Sequence, residues 1–474
     1  MQSISTSFVA VAVVYFCGIL AISFLGMRSI RTEDEFLTAG RSIGPWTGGA
    51  VLAATQISAG TMVGTVGRHY MTGVSWVWVW PGVWTGWLIS AIFVGPKLRE
   101  FGTVTVPDFL AARFRSEWAR ILSAIFIIAV YTIMLIAQYQ ACGVVFESIF
   151  GIRPIVAMLV LMVSTFLYTA LGGVRSSSYI DFLQIIIVLA GLLLAVPCLL
   201  SDFGSLDAIG RFLTSIDHRI TGSWYSNAQT FGFSLSFGLS IAAAPYEMVR
   251  FSSMRDKATV RKAIGVCFLF QAIIGSCVLI MGLTMRALFP SIQNPDQASS
   301  LMALTVLPPF VGSLFLVALL SAIMSNVNSI LLVASSGLSY DIYGKYLRPL
   351  ASEKAKLFVS RLSIVLLSAV PIGFALQRYS DVQSLVVLQT RFIASFFFVP
   401  VILGLNTKVG RSASVVGAML GGMIGCLFWS IWSAHHKTAV DASEVGIVCS
   451  ALAFFVVNKL VTGGSAALLG ETAS

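Results

Sequence analysis

Thirteen apolar segments, each long enough to cross a lipid bilayer, constrain this chain more than any other feature of its sequence. Hydrophobic residues make up 57% of the chain and charged residues only 11%, far fewer charges than soluble domains carry. Because a helix satisfies its own backbone hydrogen bonds within lipid, we predict an all-α polytopic membrane protein. The predicted spans are 6–26, 45–66, 71–95, 119–149, 154–171, 179–200, 228–247, 262–288, 308–338, 356–377, 382–404, 412–434 and 444–462.

The distribution of Lys and Arg predicts how these spans are oriented. If the N-terminus lies outside, the inner loops hold most of the basic residues, including Arg250 after the span at 228–247, as the positive-inside rule requires. We therefore expect a multi-pass protein of the cell (inner) membrane with a cytoplasmic C-terminus. The net charge of +10 then belongs to the cytoplasmic face and does not indicate nucleic-acid binding.

Other chemistries find little support in the sequence. The seven Cys and four His show no metal-ligand spacing, so they predict neither a metal centre nor a disulfide framework. No HExxH or similar paired catalytic motif occurs, which argues against an intramembrane enzyme. We expect no cofactor, and the expected partners are the bilayer and small molecules.

One span contains a polar run that lipid alone would not require. Between Ser321 and Ser329 the residues Ala322, Ser325 and Asn326 fall on the same helix face as Ser329. Small polar residues of this kind let membrane helices pack closely and hydrogen-bond to each other. The same oxygens would also suit a small hard cation such as Na⁺. The stretch by itself leaves both interpretations open.

Two other spans have the composition of interrupted helices. The span at 45–66 is rich in Gly and carries Gln56, Ser58 and Thr61 at mid-membrane depth, and the span at 228–247 alternates Gly and Ser. Interrupted membrane helices free backbone carbonyls, which is tolerated where the carbonyls line a cavity or bind an ion. These two spans lie five apart in the chain, which predicts two inverted repeats, a pattern typical of secondary transporters.

The repeats define the expected organisation of a single transmembrane transporter domain. It comprises an extra N-terminal helix and loop (1–44), a first repeat (45–200), a second repeat (228–404), two C-terminal helices (412–462) and a tail (463–474).

Asp181 and Arg391 are ionisable residues within predicted spans, where charges usually line a polar path or form pairs. Asp181 is either an acid at a helix N-terminus, which the macrodipole favours, or a functional group. Arg391 is either a structural partner for carbonyls or a carboxylate, or the counter-ion of an anionic solute. Trp80, Trp84 and Trp87 share one helix face and either pack against a partner helix or line a cavity.

Over about residues 40–460 these features resemble the sodium:solute symporter family, with motifs closest to its pantothenate and proline branches. The resemblance rests on Ala54-Thr-Gln-Ile-Ser-Ala59, Thr105-Val-Pro-Asp-Phe-Leu110, Tyr168-Thr-Ala-Leu-Gly-Gly-Val174 with Asp181-Phe-Leu-Gln184, and Leu319-Leu-Ser-Ala-Ile-Met-Ser-Asn326 with Asp341-Ile-Tyr343. It implies a LeuT-like fold of about 13 transmembrane helices with a five-plus-five inverted repeat.

The resemblance also implies where sodium would bind. The common site would use the carbonyls of Ala54, Ile57 and Ala322, the Ser325 hydroxyl and the amide oxygen of Asn326, where the family usually has Ser or Thr. A possible second sodium site would use Asp181, Asn328 and Ser329.

The solute implied by the resemblance is a small carboxylate or amino acid, such as pantothenate or proline. Candidate substrate-binding residues are Gln56, Ser58, Thr61, Trp80, Phe237, Gln389 and Arg391. Among these, Arg391 is expected to face the carboxylate of the solute, because a guanidinium binds that group through paired donors.

We therefore expect sodium-coupled symport of a small organic solute into the cell by alternating access, with Na⁺ as coupling ion and a monomer as the simplest unit. Two alternatives remain at this point. A proton-coupled symporter of the same fold would use a titrating group such as Asp181. A solute sensor would need a signalling domain, and the segment after the last span is short.

Overall fold

The computed structural model describes residues 2–27, 32–201, 203–436 and 438–471, and these residues are almost entirely helical. The α-helices are α1 Gln2–Met27, α2 Glu33–Thr38, α3 Pro45–Gln56, α4 Val66–Thr72, α5 Val79–Ile89, α6 Gly95–Phe101, α7 Val106–Phe114, α8 Glu117–Phe150, α9 Pro154–Ser201, α10 Leu206–Ile216, α11 His218–Thr221, α12 Asn227–Ala243, α13 Pro245–Ser253, α14 Lys257–Leu288, α15 Ala298–Thr305, α16 Pro309–Ser336, α17 Glu353–Ala375, α18 Val382–Asn406, α19 Ser412–His435 and α20 Ala442–Glu471. Wider π-helical segments follow three of them, at Gly60–Thr65, Ser90–Val94 and Gly337–Leu347, and short 3₁₀ turns lie at Ala39–Arg41, Gly73–Trp78 and Pro295–Gln297.

Helix occupies each of the thirteen predicted spans, but only ten helical segments of the described chain are long and apolar enough to cross a membrane unaided. The three spans that fall short are those predicted at 45–66, 154–171 and 228–247. Two of these are interrupted helices, and the third is separated from its successor by a kink within α9. The exact number of thirteen therefore stays a prediction.

The predicted interruptions are confirmed in both spans. Helix α3 ends at Gln56 because Ile57 turns to an extended conformation (φ −80°, ψ 121°), and a π-helical segment begins at Gly60. Helix α12 ends where Ala244 is extended (φ −67°, ψ 120°), and α13 then starts with Pro245 in its first turn, where a missing N–H is tolerated.

The kink in α9 depends on a glycine. Gly173 has φ +52° and ψ −163°, a conformation that L side chains rarely adopt, and a Cβ there would lie 2.6 Å from the ring of Phe36. Glycine therefore both turns the chain and admits α2, which packs against the kink. The second half of α9 carries Asp181 into the centre of the protein.

Helix α16 lies at the centre of the fold, with every residue from Phe315 to Gly337 buried. It packs against α9, α1, α8 and α3, so protein rather than lipid surrounds its polar run from Ser321 to Ser329. At the periphery, α19 and α20 pair closely through small residues: a Cβ on Gly421 would lie 2.8 Å from Ala453.

The C-terminus differs from its prediction. Helix α20 continues to Glu471, so most of the segment predicted to be a tail from 463 extends the last helix instead. Residues 472–474 of that tail, and 28–31 of the predicted N-terminal loop, lie outside the described residues.

The crossing of α5 and α12 provides a test of the packing. A Cβ on Gly82 would lie 2.0 Å from the carbonyl oxygen of Ser234, so we expect Gly82→Ala to force the helices apart at a cost of about 1–3 kcal/mol. Thermal unfolding in detergent should show a lowered melting temperature. Gly373→Ala is the matched control, because no heavy atom lies within 4 Å of a Cβ there. Equal melting temperatures for the two variants would contradict the close crossing.

Candidate functional site

The interruption after α3 leaves backbone groups that other parts of the protein satisfy. The N–H of Ala59 donates to Oε1 of Gln138 on α8 (2.9 Å), and the N–H of Gly60 donates to Oγ of Ser58 (3.0 Å). The last helical bond at this end runs from Ile57 N–H to Ala53 O (2.9 Å), so the carbonyls that follow Ala53 leave the helical ladder. These free carbonyls make the end of α3 a source of oxygen ligands.

Asn326 joins the centre of α16 to this end of α3. Its Nδ2 donates to the carbonyl of Thr55 (2.7 Å), and the hydroxyls of Thr55 and Ser329 lie 3.1 Å apart. The Oδ1 atom of Asn326 is buried and has no hydrogen-bond partner among the described residues. A buried amide oxygen without a donor is costly unless something else fills the position, and a cation is one such occupant. The donor set thus fits Na⁺.

Asp181 forms a buried ion pair with Arg250. Nη2 of Arg250 donates to Oδ2 of Asp181 (2.8 Å), to Oγ of Ser329 (2.7 Å) and to Oγ of Ser177 (3.0 Å), while Ser325 donates to Oδ1 of Asp181 (2.7 Å). The prediction that Arg250 lies in an inner loop is wrong, because its side chain is only 2% exposed. Asp181 is therefore a paired charge within the bundle rather than an acid at a helix end.

The residues predicted for a second sodium ion lie in this same network. Asn328 accepts a hydrogen bond from Thr169 (Oγ1 to Oδ1, 2.8 Å) and donates to Ser177, while Asp181 and Ser329 both contact Arg250. The guanidinium is a fixed cation that already balances the charge of Asp181.

A cavity of about 50 Å³ lies beside the broken end of α3. Six of the seven predicted substrate-binding residues line it, namely Gln56, Ser58, Thr61, Trp80, Phe237 and Gln389. The rest of its lining consists of Gly60, Thr65, Val79, Val83, Met134, Tyr246, Gln383, Val386 and Thr390. All of these side chains are uncharged, and Nε2 of the buried Gln389 has no partner in the described chain.

Arg391, the seventh predicted substrate-binding residue, does not line this cavity. Its Nε donates to Oδ2 of Asp441 at 2.9 Å, at the start of α20. It lines a separate vestibule of about 340 Å³, together with Arg68 and Trp76. The geometry thus supports the structural alternative for Arg391, in which its partner is a carboxylate. Asp441 lies 50 residues away in the sequence, so no local sequence pattern could predict the pair.

Aromatic side chains separate the cavity from the vestibule. The ring centroid of Trp76 lies 4.9 Å from that of Phe233 in the vestibule and 6.3 Å from that of Phe237 in the cavity. Trp80, Trp84 and Trp87 were predicted either to line a cavity or to pack against a partner helix, and both roles occur. Trp80 lines the cavity, whereas Trp84 stacks on Phe268 and Trp87 donates to Gln271 (3.2 Å), so these two pack against α14.

Sequence reasoning missed several residues of the site. The hydroxyl of Tyr246 donates to Oε1 of Gln56 (3.0 Å) and its N–H donates to the hydroxyl of Tyr131 (3.0 Å), so Tyr246 connects both interrupted helices. Gln138, which caps the break, is a polar residue within an apolar helix, and the rule on intramembrane polar groups could have identified it. No comparable signal marks Tyr246.

Ionic clusters lie at the two ends of the site. Near the vestibule, Arg68 on α4 pairs with Asp381 (3.2 Å) and donates to Ser384 (2.7 Å) at the start of α18. At the opposite end, the motifs that begin at Thr105 and Asp341 meet. Arg120 pairs with Asp108 (2.9 Å) and Asp341 (3.3 Å), and Thr105 donates to Asp341 (2.9 Å).

Asp296, which lies between two membrane spans and beside Asp381, is 4% exposed, and burial raises its pKa from 3.8 to about 6. Because the folded protein binds this proton more tightly than the unfolded chain, its stability falls as pH rises from about 4 to about 6. We expect Asp296→Asn to be more stable than wild type at about pH 7.5, by at most about 3 kcal/mol, and equally stable below about pH 4.

Thermal unfolding across this pH range measures the difference. Asp217→Asn is a control, because hydrogen bonds from Arg219 lower the pKa of this exposed carboxyl to about 2, which gives the opposite pH trend. A stability difference for Asp296→Asn that does not change with pH would contradict the assignment.

Comparison with known proteins identifies the family. The profile of the sodium:solute symporter family matches residues 36–425. A sodium/proline symporter of Staphylococcus aureus (strain JH9) is 28% identical over 480 residues, which cover 94% of this chain and 91% of the relative.

Solved structures agree in fold. A substrate-bound, outward-open Na⁺-coupled sialic acid symporter superimposes with a TM-score of 0.81 at 20% identity, over 96% of this chain and 97% of that one. The nucleobase-cation-symport-1 transporter Mhp1, in a closed conformation, gives a TM-score of 0.56 at 13% identity, over 89% and 92% of the two chains. The protein has the LeuT-like fold and belongs to the sodium:solute symporter family, whose members are membrane transporters rather than enzymes.

Proposed function

We propose that this protein couples the inward movement of Na⁺ to the uptake of a small zwitterionic amino acid, with proline as the first candidate. One observation carries the proposal. The amide oxygen of Asn326, unpaired among the described residues, and the free carbonyls of the broken α3 lie next to an uncharged cavity.

The sodium site proposed here uses the carbonyls of Ala54, Ile57 and Ala322, the hydroxyl of Ser325 and Oδ1 of Asn326. These are neutral oxygens, the ligands that a hard cation takes. They come from the end of α3 and from α16, two segments that lie far apart in the sequence. A sodium ion there would draw α3 towards α16 and fix the interrupted segment.

The lining of the cavity favours a solute without net charge. Amides, hydroxyls and aromatic rings surround it, and the guanidinium of Arg391 is held by Asp441 outside it. A monocarboxylate or pantothenate would bring an unbalanced negative charge into this space. A zwitterion carries no net charge, and the carbonyls freed at the end of α3 favour its ammonium group. Similarity to sodium/proline symporters supports the same class of solute.

Sodium and solute would be coupled through one short stretch of chain. Thr55 accepts a hydrogen bond from Asn326 at the ion site, and the next residue, Gln56, lines the cavity and bonds to Tyr246. An ion that orders this stretch raises the affinity for the solute, and the solute must raise the affinity for the ion by the same factor.

Transport would proceed by alternating access in the cell membrane, with the N-terminus outside and the C-terminus in the cytoplasm. In this orientation the Arg68–Asp381 pair lies at the outer end and the cluster of Arg120 with Asp341 at the inner end. These two ionic clusters are suited to open in turn. All groups of the site come from one chain, so we infer that a monomer can carry out the cycle.

We infer one sodium ion per solute. Arg250 places a permanent positive charge against Asp181 and Ser329, two of the three residues considered for a second ion. The same pairing argues against the proton-coupled alternative that uses Asp181, because a proton on Asp181 would leave Arg250 as an unbalanced buried charge.

Uptake into proteoliposomes tests the solute and the ion together. With an inward sodium gradient we expect accumulation of proline, and little or none of monocarboxylates, pantothenate or sugars. Gln389→Ala should raise the KM, because its amide lines the cavity, whereas Arg391→Gln should keep the wild-type KM. Uptake driven by a proton gradient in sodium-free buffer would overturn sodium coupling, and a raised KM in Arg391→Gln would return that residue to the solute site.

Ser325→Ala tests the ion site. Loss of one hydroxyl ligand should raise the sodium concentration for half-maximal uptake by about tenfold, equivalent to about 1.4 kcal/mol. Ser335→Ala is the matched control on the same helix, since its hydroxyl bonds to the carbonyl of Leu332. We also expect a sodium Hill coefficient of about 1 in wild type. Unchanged half-saturation in Ser325→Ala would count against the site, and a Hill coefficient near 2 against a single ion.

A further inference from the structure

Glu247, the third residue of α13, is a buried acid for which sodium and solute binding provide no role. The residue is fully buried, at 0% exposure. Neither Oε1 nor Oε2 has a hydrogen-bond partner within the described ranges. Buried carboxylates are normally paired or hydrogen-bonded, so this side chain needs another explanation.

Its position in the first turn of a helix does not provide that explanation. An acid there is favourable when its oxygens accept the free N–H groups of the turn. In α13 those donors are used elsewhere: Glu247 and Met248 donate to the carbonyl of Ala244 (3.1 Å each), and Tyr246 donates to Tyr131 (3.0 Å). Glu247 is therefore not a cap.

The charges around Glu247 are already balanced without it. Arg250, one turn along α13, is the nearest cation, but its Nη2 is bound to Asp181, Ser177 and Ser329. The pair of Arg250 and Asp181 has no net charge. An ionised Glu247 would add an unmatched negative charge to the interior, which a protein avoids by binding a proton or a cation there.

No other neighbour changes this balance. The titratable groups that face Glu247 from other helices are Tyr131 on α8 and Cys267 on α14, both neutral in their ordinary forms. Helices α3, α12 and α16 carry no charged residue. Among the side chains that the structure describes, the charged ones of the other elements packed on α13 are engaged elsewhere: Glu33 with Ser360, Glu35 with Thr32, Arg41 with Gly102, Lys97 with Asn406, Arg99 with Met254, Glu100 with Lys257, Asp108 with Arg120 and Arg113 with Gly404.

We propose that Glu247 is a proton-binding site, with the carboxyl protonated in this conformation and ionised in another conformation of the transport cycle. A bound metal cation fits poorly, since no group of three or more His, Cys, Asp or Glu in the described parts of the chain could hold one. A proton needs only the one carboxyl.

The route for release is local. Nη1 of Arg250 is buried and has no hydrogen-bond partner among the described residues, so it could donate to another group if α13 moved relative to α9. When water reaches the site, the O–H bond of Glu247 breaks, the proton passes to water, and Nη1 can stabilise the carboxylate that remains. The site would make transport depend on pH even though sodium drives it.

Infrared spectroscopy of the purified protein tests the proposal without relying on transport. At about pH 7.5 an ordinary glutamate is ionised, so a protonated Glu247 should contribute a distinct carboxylic C=O band. We expect Glu247→Gln to remove this band. Glu100→Gln, which changes an exposed glutamate beside Lys257, should keep it. Glu247→Asp should shift the band. This variant tests the same assignment if Glu247→Gln does not fold. Identical carboxyl bands in wild type and the Glu247 variants would overturn the proposal.

A second measurement addresses the cycle. In wild-type proteoliposomes we expect the maximal uptake rate to change with pH, by up to about tenfold per unit on the limb where Glu247 titrates. Glu247→Gln, which mimics the protonated form, should flatten this limb and keep sodium dependence. Identical pH profiles in wild type and Glu247→Gln would reject the role in transport. If wild-type protein shows no sodium-driven uptake, the proposed function fails, while the infrared result still decides the proton site.

Discussion

The hydrogen bond from Asn326 to the carbonyl of Thr55 is the contact on which the rest of the site depends. A helix interrupted within a membrane must find partners for its freed backbone groups, because lipid offers none. Here the partners are side chains of the buried helices α16 and α8, with Asn326 on one and Gln138 on the other. One interruption therefore positions carbonyls for an ion and side chains for a solute.

Arg250 has a comparable role for the charges of the interior. A single guanidinium holds Asp181, Ser177 and Ser329, and so ties α13 to α9 and α16. Both interrupted helices are thus attached to the central helix α16, one through the amide of Asn326 and the other through the hydrogen bond from Arg250 to Ser329. Since α13 also carries Glu247, any movement that rearranges this ion pair changes the surroundings of a second buried acid. Ion, solute and proton would act on one connected set of helices.

Much of the fold followed from local patterns. Apolar length predicted the helices, and Gly with Ser in apolar surroundings identified both interruptions, because each of these signals lies within one segment. Apolar length alone did not give the number of membrane-crossing helices, because an interrupted helix has no continuous apolar run. The surroundings of charged residues were predicted least well from the sequence. Arg250 was predicted in a loop and Arg391 at the solute, and the structure pairs each with an acid far away in sequence.

The sequence by itself determined the membrane class, the helical architecture, the interrupted helices and six of the fifteen residues that line the cavity. Hydrophobicity and helix-breaking composition are properties of short stretches, and they do not depend on which segments lie side by side in the fold. Only the tertiary structure decided which charges meet, that Arg391 serves Asp441 and that Tyr246 connects the two breaks. It also left the Glu247 carboxyl without a hydrogen-bond partner among the residues described. These outcomes depend on which helices lie side by side, because the cost of a buried charge is set by the groups that surround it in space.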